Sequence, residues 1–143
     1  SAVSVFPITP SYEIYLIKQY RYLLEKEVIE AVAGIIDENE SILETARREL
    51  KEETGIVAGK LQEIKSIFVA GSFVKIRQHL ILAQDLKLDK AEPEETEEIE
   101  LVKMSLDEAV SKIFSGEIIT SSSMLGILLL DKMRQKGEIC NFW

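Results

Sequence analysis

The chain has few of the residues that build disulfides and soft-metal sites. Its 143 residues include one cysteine, Cys140, and one histidine, His79. A single cysteine cannot form a disulfide within the chain, which is typical of a reducing compartment, so we expect a cytoplasmic location. One cysteine and one histidine cannot supply the four nitrogen or sulfur ligands of a structural zinc site. We therefore expect His79 to be structural.

Positive charge and long apolar runs are also scarce. Lys and Arg total 17 against 25 Asp and Glu, a net charge of −8, which argues against nucleic acid or an anionic membrane as a partner. Apolar runs such as residues 127–130 are far shorter than the about 20 residues of a membrane span. No basic segment precedes an apolar stretch near Ser1, so we expect no signal peptide. A hydrophobic content of 46% suits one globular domain over residues 1–143.

Helix signals are concentrated in residues 34–56, GIIDENESILETARRELKEETGI. Ser41 followed by Glu44 forms a capping-box pattern, which predicts a helix that begins just after Ser41. Gly55 lies where such a helix would end in a left-handed residue, a conformation that glycine tolerates. Three apolar residues recur every four positions and predict the buried face of this helix: Ile42, Ala46 and Leu50.

The same helix carries a cluster of carboxylates. Glu49, Glu52 and Glu53 are spaced i, i+3 and i+4, so they lie on neighbouring parts of one face and repel one another. Arg48 can pair with Glu52 and with Glu40, but one arginine does not neutralise four acids. A bound cation is the natural second partner, and all-oxygen ligands favour Mg²⁺ or Mn²⁺. A solvated, Glu-rich helix face is the alternative, which the three glutamates alone would favour.

Further fixed positions extend this cluster into a longer motif. The pattern G-x5-E-x7-R-E-U-x-E-E-x-G-U, in which U is apolar, is matched at every position from Gly34 to Ile56. This stretch resembles the Nudix box, the catalytic motif of Nudix hydrolases. The resemblance implies an α/β fold, the Nudix α/β/α sandwich with a mixed β-sheet. It also implies metal-dependent hydrolysis of the pyrophosphate bond in a nucleoside diphosphate derivative.

Segments outside the box look like those of ADP-ribose pyrophosphatases, namely residues 19–21 (QYR), 30–34 (EAVAG) and 116–118 (GEI). The resemblance implies that Mg²⁺ or Mn²⁺ is bound by three carboxylates and one backbone carbonyl: Glu49, Glu52, Glu53 and Ala33. It makes Arg21 and Glu30 candidate substrate-binding residues. For Arg21, an ordinary surface cation is the other interpretation, which the sequence alone favours.

The resemblance also assigns candidate catalytic residues. Arg48 and Glu53 lie within the box. A late acidic loop in this subfamily often supplies the general base, and by position it is matched here by Glu95 or Glu97 in EETEEIEL, residues 94–101. A solvated charge run is the alternative for the other glutamates of this loop.

Two positions differ from the pattern of ADP-ribose hydrolases, so the sequence does not decide the substrate. ADP-ribose hydrolases usually carry a proline where this chain has Gly71, and often a glutamate where it has Ile76. ADP-ribose or a related nucleotide sugar is the expected substrate, with an oxidised nucleoside triphosphate or a dinucleoside polyphosphate as alternatives. A non-catalytic nucleotide-binding module is an alternative of another class, which the intact box argues against. A homodimer is left open.

Periodicity and turn residues predict the remaining elements. Strands are expected at residues 2–8, 13–19, 28–33, 61–70, 74–84 and 99–104, and residues 85–98 are expected to form a loop. Ser105 and Glu108 predict a second helix that ends near Gly116. A third helix is expected over residues 121–136, followed by Gly137. Four of its residues are expected to form its core face: Leu125, Leu128, Leu129 and Met133.

Overall fold

The computed structural model describes residues 1–92 and 98–139. Seven β-strands and three α-helices are described there. The strands are β1 (Ala2–Pro7), β2 (Glu13–Arg21), β3 (Lys26–Glu30), β4 (Val32–Ile35), β5 (Ile56–Phe68), β6 (Arg77–Leu88) and β7 (Ile99–Ser105). The helices are α1 (Ile42–Thr54), α2 (Leu106–Ser115) and α3 (Ser121–Gln135), and a short 3₁₀ helix covers Tyr22–Leu24.

The strands form two sheets. A mixed sheet has the order β4-β1-β6-β5, in which β1 and β6 run parallel and the other neighbours antiparallel. An antiparallel sheet has the order β3-β2-β7. The sequence predicted the mixed sheet but did not separate the second sheet from it.

Helices cover both faces of the mixed sheet, as the predicted α/β/α sandwich requires. Side chains alternate along β1, so Val3 and Val5 belong to the core cluster that contains α1, while Phe6 belongs to the cluster that contains α3. A Cβ on Gly126 of α3 would lie 2.0 Å from Cζ of Phe6, so glycine lets the helix backbone approach this ring. The predicted α/β/α sandwich is therefore confirmed.

The prediction of one strand over residues 28–33 is wrong. β3 ends at Glu30 and β4 begins at Val32, and the two strands belong to different sheets. Between them Ala31 is buried, and its N–H donates to the side chain of Ser123 rather than to a strand. The apolar run hides this break because both strands bury residues on either side of it.

The loop predicted over residues 85–98 begins later than expected. β6 continues to Leu88, where its last residues pair with the start of β5, Leu88 with Ile56 and Lys87 with Val57. Lys87 and Leu88 are exposed even though Ile56, the partner of Leu88, is fully buried, so the sequence of this strand end does not show the pairing. On the same strand His79 is buried with Nδ1 2.8 Å from Oε1 of Glu63, in keeping with a structural role.

The predicted core face of α3 is wrong in part. Leu125 and Leu128 are exposed, whereas Leu129 and Met133 are partly buried against the core. The buried residues of the helix are Ser123, Gly126, Ile127 and Leu130. Two of these residues are small and let the helix backbone approach the sheet, while Ile127 and Leu130 enter the core. The positions of the leucines in the sequence therefore do not show which face of α3 is buried.

The ends of the other helices agree with the predictions. Ser105 accepts a hydrogen bond from the N–H of Glu108 at the start of α2, and Gly116 ends that helix with φ +83°. Gly137, with φ +69°, follows α3. Within the described part of the chain, no helix is both long and apolar enough to cross a membrane.

Candidate active site

Helix α1 is fixed at both ends by the residues that the sequence singles out. The N–H of Glu44 donates to Oγ of Ser41 over 3.3 Å, and the N–H of Ser41 donates to Oε2 of Glu44 over 2.8 Å. Gly55 ends the helix with φ +73°, and its N–H donates to the carbonyl of Lys51. The predicted stripe holds the helix on the mixed sheet, with Ala46 and Leu50 fully buried. The remaining face of the helix presents the acidic residues of the box.

Arg48 binds several of these acids, as its position in the box predicted. Its Nε and Nη2 donate to the two carboxylate oxygens of Glu40 over 2.8 and 2.9 Å, a bidentate pair. Its Nη1 donates to Oε1 of Glu49 over 2.8 Å and to Oε2 of Glu52 over 3.2 Å. The hydrogen bonds from Arg48 hold the pKa of Glu40 below its usual value, and Glu40 in turn raises the pKa of Arg48. Arg48 therefore stays charged and orients three carboxylates.

Gly34 lets Glu49 lie against the backbone of β4. A Cβ on Gly34 would lie 2.1 Å from both Cδ and Oε1 of Glu49, which is far inside contact distance. The side chain of Glu49 is 14% exposed and packs over this strand. Its carboxylate therefore lies beside the residue that follows Ala33. The first glycine of the box belongs to β4, and its missing side chain allows the close approach of Glu49.

The predicted metal ligands are brought together only in part. Among residues 1–92 and 98–139, no three side chains of His, Cys, Asp or Glu converge as a metal site. Glu49 and Glu52 are turned toward Arg48, while Glu53 has a buried oxygen, Oε2, on the same helix. The donor set still fits a hard cation, because it is all oxygen and because Gly34 opens space for a carboxylate at the backbone of β4.

Arg21 and Glu30, the candidate substrate-binding residues, form an ion pair. Nε of Arg21 donates to Oε1 of Glu30 over 2.6 Å, and Nη2 contacts the same oxygen. Glu30 is buried, and burial raises its pKa although Arg21 opposes the shift. Arg21 therefore has a buried partner, although its own side chain is 42% exposed, and its role in substrate binding stays a prediction.

A cavity of about 600 Å³ opens beside Arg21. It is lined by Gln19, Tyr20, Arg21, Tyr22, Leu23, Leu24, Glu98 and Thr120. The rings of Tyr20 and Tyr22 meet edge to face with centroids 5.1 Å apart. Tyr22 and Leu23 were not predicted as site residues, and the signal in the sequence was two bulky apolar residues directly after QYR. Both are exposed in the structure.

Glu95 and Glu97 lie outside the described residues, but both flanks of their loop are described. Before it, the N–H of Glu92 donates to the carbonyl of Glu52 over 2.9 Å. After it, Glu98 lines the cavity. The residue before this segment is therefore bonded to the carboxylate helix, and the residue after it lies at the cavity.

Comparisons with known proteins agree with this architecture. A family model described as NUDIX domain matches residues 1–120. An ADP-ribose pyrophosphatase of Bacillus subtilis (strain 168) is 33% identical over 131 residues, which cover 90% of this chain and 71% of that protein. A methanol dehydrogenase activator of Bacillus methanolicus is 34% identical over 131 residues, with the same two coverages.

Two further relatives act on ADP compounds according to their names. The ADP compounds hydrolase NudE of Escherichia coli (strain K12) is 35% identical over 105 residues, which cover 73% of this chain and 56% of that protein. The crystal structure of an ADP compounds hydrolase matches with a TM-score of 0.86 and 27% identity. That match covers 96% of this chain and 75% of the other.

Proposed function

Because the chain belongs to the NUDIX domain family and is a pyrophosphohydrolase of nucleoside diphosphate derivatives, we propose that its substrate is ADP-ribose or a related nucleotide sugar. The arrangement of α1, in which Arg48 holds Glu40, Glu49 and Glu52 while Glu49 lies against Gly34, supports diphosphate hydrolysis. The observation that carries the choice of substrate is the similarity to an ADP-ribose pyrophosphatase over 90% of this chain. Relatives named ADP-ribose pyrophosphatase and GDP-mannose pyrophosphatase support this substrate class.

The proposed cofactor is Mg²⁺ or Mn²⁺. The carboxylates of Glu49, Glu52 and Glu53 and the carbonyl of Ala33 would hold it. When bound, the cation neutralises the diphosphate and makes a water molecule more acidic. Arg48 aligns Glu49 and Glu52 for this task because its Nη1 donates to both.

The proposed general base is Glu97 or Glu95. A carboxylate that binds a cation is a poor proton acceptor, because the cation lowers its basicity. An acid outside the helix is therefore better suited to remove a proton from water. The flanks of the acidic loop support this role, since Glu92 is hydrogen-bonded to α1 and Glu98 lies at the cavity.

The cavity beside Arg21 is the proposed site for the rest of the substrate. Arg21 supplies a cation near the cavity wall, and Glu30 fixes its orientation. Tyr20 and Tyr22 supply aromatic surface. A cavity with apolar walls and a few oriented polar groups is typical of small-molecule sites.

Another nucleotide is the second candidate substrate, because Gly71 and Ile76 depart from the pattern of ADP-ribose hydrolases. The discriminating experiment compares product release from ADP-ribose, GDP-mannose, a dinucleoside polyphosphate and an oxidised nucleoside triphosphate, each with and without Mg²⁺. We expect the highest kcat/KM with one of the first two. A dominant rate with either of the others would replace the proposed substrate, and no turnover of any member would favour a binding module.

We further propose a homodimer and a cytoplasmic location. Tyr22 and Leu23 beside the cavity, and Phe73 between β5 and β6, are 85%, 100% and 86% exposed. Apolar side chains exposed to this degree favour burial against another surface. Lys75 and Arg77, which follow Phe73 closely in the sequence, would be attracted to a second copy, which carries a net charge of −8. Light scattering after size exclusion tests this, and a monomer mass at 100 µM protein would contradict it.

A further inference from the structure

The chain crosses between its two sheets directly before the site, at Ala31. β3 ends one residue before Ala31 and β4 begins one residue after it, in the other sheet. The side chain of Ala31 is buried, and its N–H donates to Oγ of Ser123 over 2.9 Å. Ser123, which is 2% exposed, therefore fixes the chain two residues before Ala33.

Ser123 is itself supported by the residue that caps its helix. Thr120 is the N-cap of α3, but its hydroxyl makes no capping bond to the helix backbone. It donates instead to Oγ of Ser123 over 2.7 Å. Threonine at an N-cap ordinarily accepts a backbone N–H, so this hydroxyl is diverted from stabilising the helix to orienting Ser123. Thr120 also lines the cavity.

A second contact from the first turn of α3 reaches the strand beside Ala33. Ser4 pairs with Ala33 in the register of β1 and β4. The hydroxyl of Ser4 is fully buried, donates to Oγ of Ser122 over 3.2 Å and accepts from Nε2 of Gln78 over 2.8 Å. Of two successive serines of α3, Ser122 thus contacts β1 at the residue paired with Ala33, and Ser123 contacts the residue directly before β4.

We infer that Ser123 is a positioning residue for the backbone carbonyl of Ala33, and that it connects this carbonyl to the substrate cavity through Thr120. The inference rests on the proposed function, in which that carbonyl helps to hold a divalent cation. Partners that orient metal ligands from outside the coordination sphere commonly change metal affinity when they are removed. The hydrogen bond from Ala31 to Ser123 would orient a backbone ligand, the carbonyl of Ala33, in the way that such partners orient side-chain ligands.

The test measures Mn²⁺ binding to the folded, metal-free protein by electron paramagnetic resonance of the free ion. We expect Ser123→Ala to raise the Kd for Mn²⁺ about tenfold, because the crossing at Ala31 loses its anchor. Ser123→Thr keeps the hydroxyl and is expected to stay close to the wild-type Kd. Ile127→Val is the matched control, since it alters a fully buried residue of the same helix with no hydroxyl involved. It should leave the Kd unchanged.

The outcomes separate the inference from the proposed function. Wild-type protein that binds no Mn²⁺ would overturn the proposed metal site, and with it the basis of the inference. Wild-type binding with an unchanged Kd in Ser123→Ala would overturn the inference alone. An equal loss of affinity in Ser123→Ala and Ile127→Val would also overturn it, because the effect would then follow general loosening of α3. If Ser123→Ala does not fold, Ser123→Cys takes its place, with the same expected weakening.

Discussion

At the scale of single residues, the pair of Arg21 and Glu30 shows how burial and charge compete. Glu30 is buried, whereas the side chain of Arg21 is 42% exposed. Burial raises the pKa of Glu30 even though the guanidinium opposes it. The folded protein therefore holds the proton of Glu30 more tightly than the unfolded chain does. Stability falls as the pH rises from the unfolded pKa, near 4.5, through the higher folded pKa.

We predict that Arg21→Met lowers the free energy of unfolding by about 2 kcal/mol at pH 8, because an ionised Glu30 then lies buried without its cation. The value is reduced from that of a fully buried pair because water screens Arg21. At pH 4.5 the loss should be smaller, since the raised pKa leaves more than half of Glu30 protonated there. Urea unfolding at the two pH values measures it. Lys18→Met is the control, because Lys18 forms an exposed pair with Glu27. A decrease in the free energy of unfolding of Arg21→Met that is equal at both pH values would refute the prediction.

At the scale of elements, the packing of α1 on β4 depends on Gly34. Alanine at this position would place a methyl group 2.1 Å from the carboxylate of Glu49. We predict that Gly34→Ala lowers kcat about 10²-fold, because displacement of a positioned group by about 1 Å has that cost. Steady-state kinetics at saturating Mg²⁺ measure it. Gly71→Ala is the matched control, since its added Cβ would have no atom within 4 Å. Equal rates for the two variants would contradict the assigned role of Gly34.

The acidic loop permits a test of the general base by position. We predict that Glu97→Gln or Glu95→Gln lowers kcat by about 10² or more, with KM changed at most a few-fold, because loss of a base affects the chemical step rather than binding. Glu92→Gln and Glu94→Gln are the controls and should retain near-wild-type rates. Four near-wild-type rates would return the role of base to the box, with Glu52 the next candidate.

Helices were predicted well where residues at their own ends determine where they begin and end. The capping box at Ser41 and the left-handed Gly55 define α1 within a residue, because both act through neighbouring backbone groups. The break at Ala31 carried no such signal, since its N–H is satisfied by Ser123, 92 positions away in the chain. The buried face of α3 was equally hidden, because it depends on the fit of Phe6 against Gly126. The box residues were predictable from their spacing, whereas the cavity beside Arg21 brings together β2, the 3₁₀ helix, Glu98 and Thr120, which are far apart in the sequence.

At the scale of the whole molecule, an acidic protein must bind an acidic substrate. A net charge of −8 repels a diphosphate, and Arg48 is already engaged by Glu40, Glu49 and Glu52. The described residues of α1 thus present more negative charge than Arg48 neutralises. A divalent cation resolves this conflict by carrying positive charge to both carboxylate and phosphate. The activity should therefore depend on metal and on the box glutamates together.

The most direct test of this account is the rate of ADP-ribose hydrolysis by the wild-type protein, Glu49→Gln and Glu53→Gln, each in excess EDTA and after Mg²⁺ is restored. If the site on α1 depends on metal, the wild type should show no turnover in EDTA and full recovery with Mg²⁺. Each variant should then have a kcat at least ~10² lower at saturating Mg²⁺. Circular dichroism should show both variants folded, because each substitution relieves repulsion on α1. Wild-type turnover that persists in EDTA, or two variants that match wild type, would contradict a metal-dependent site on α1.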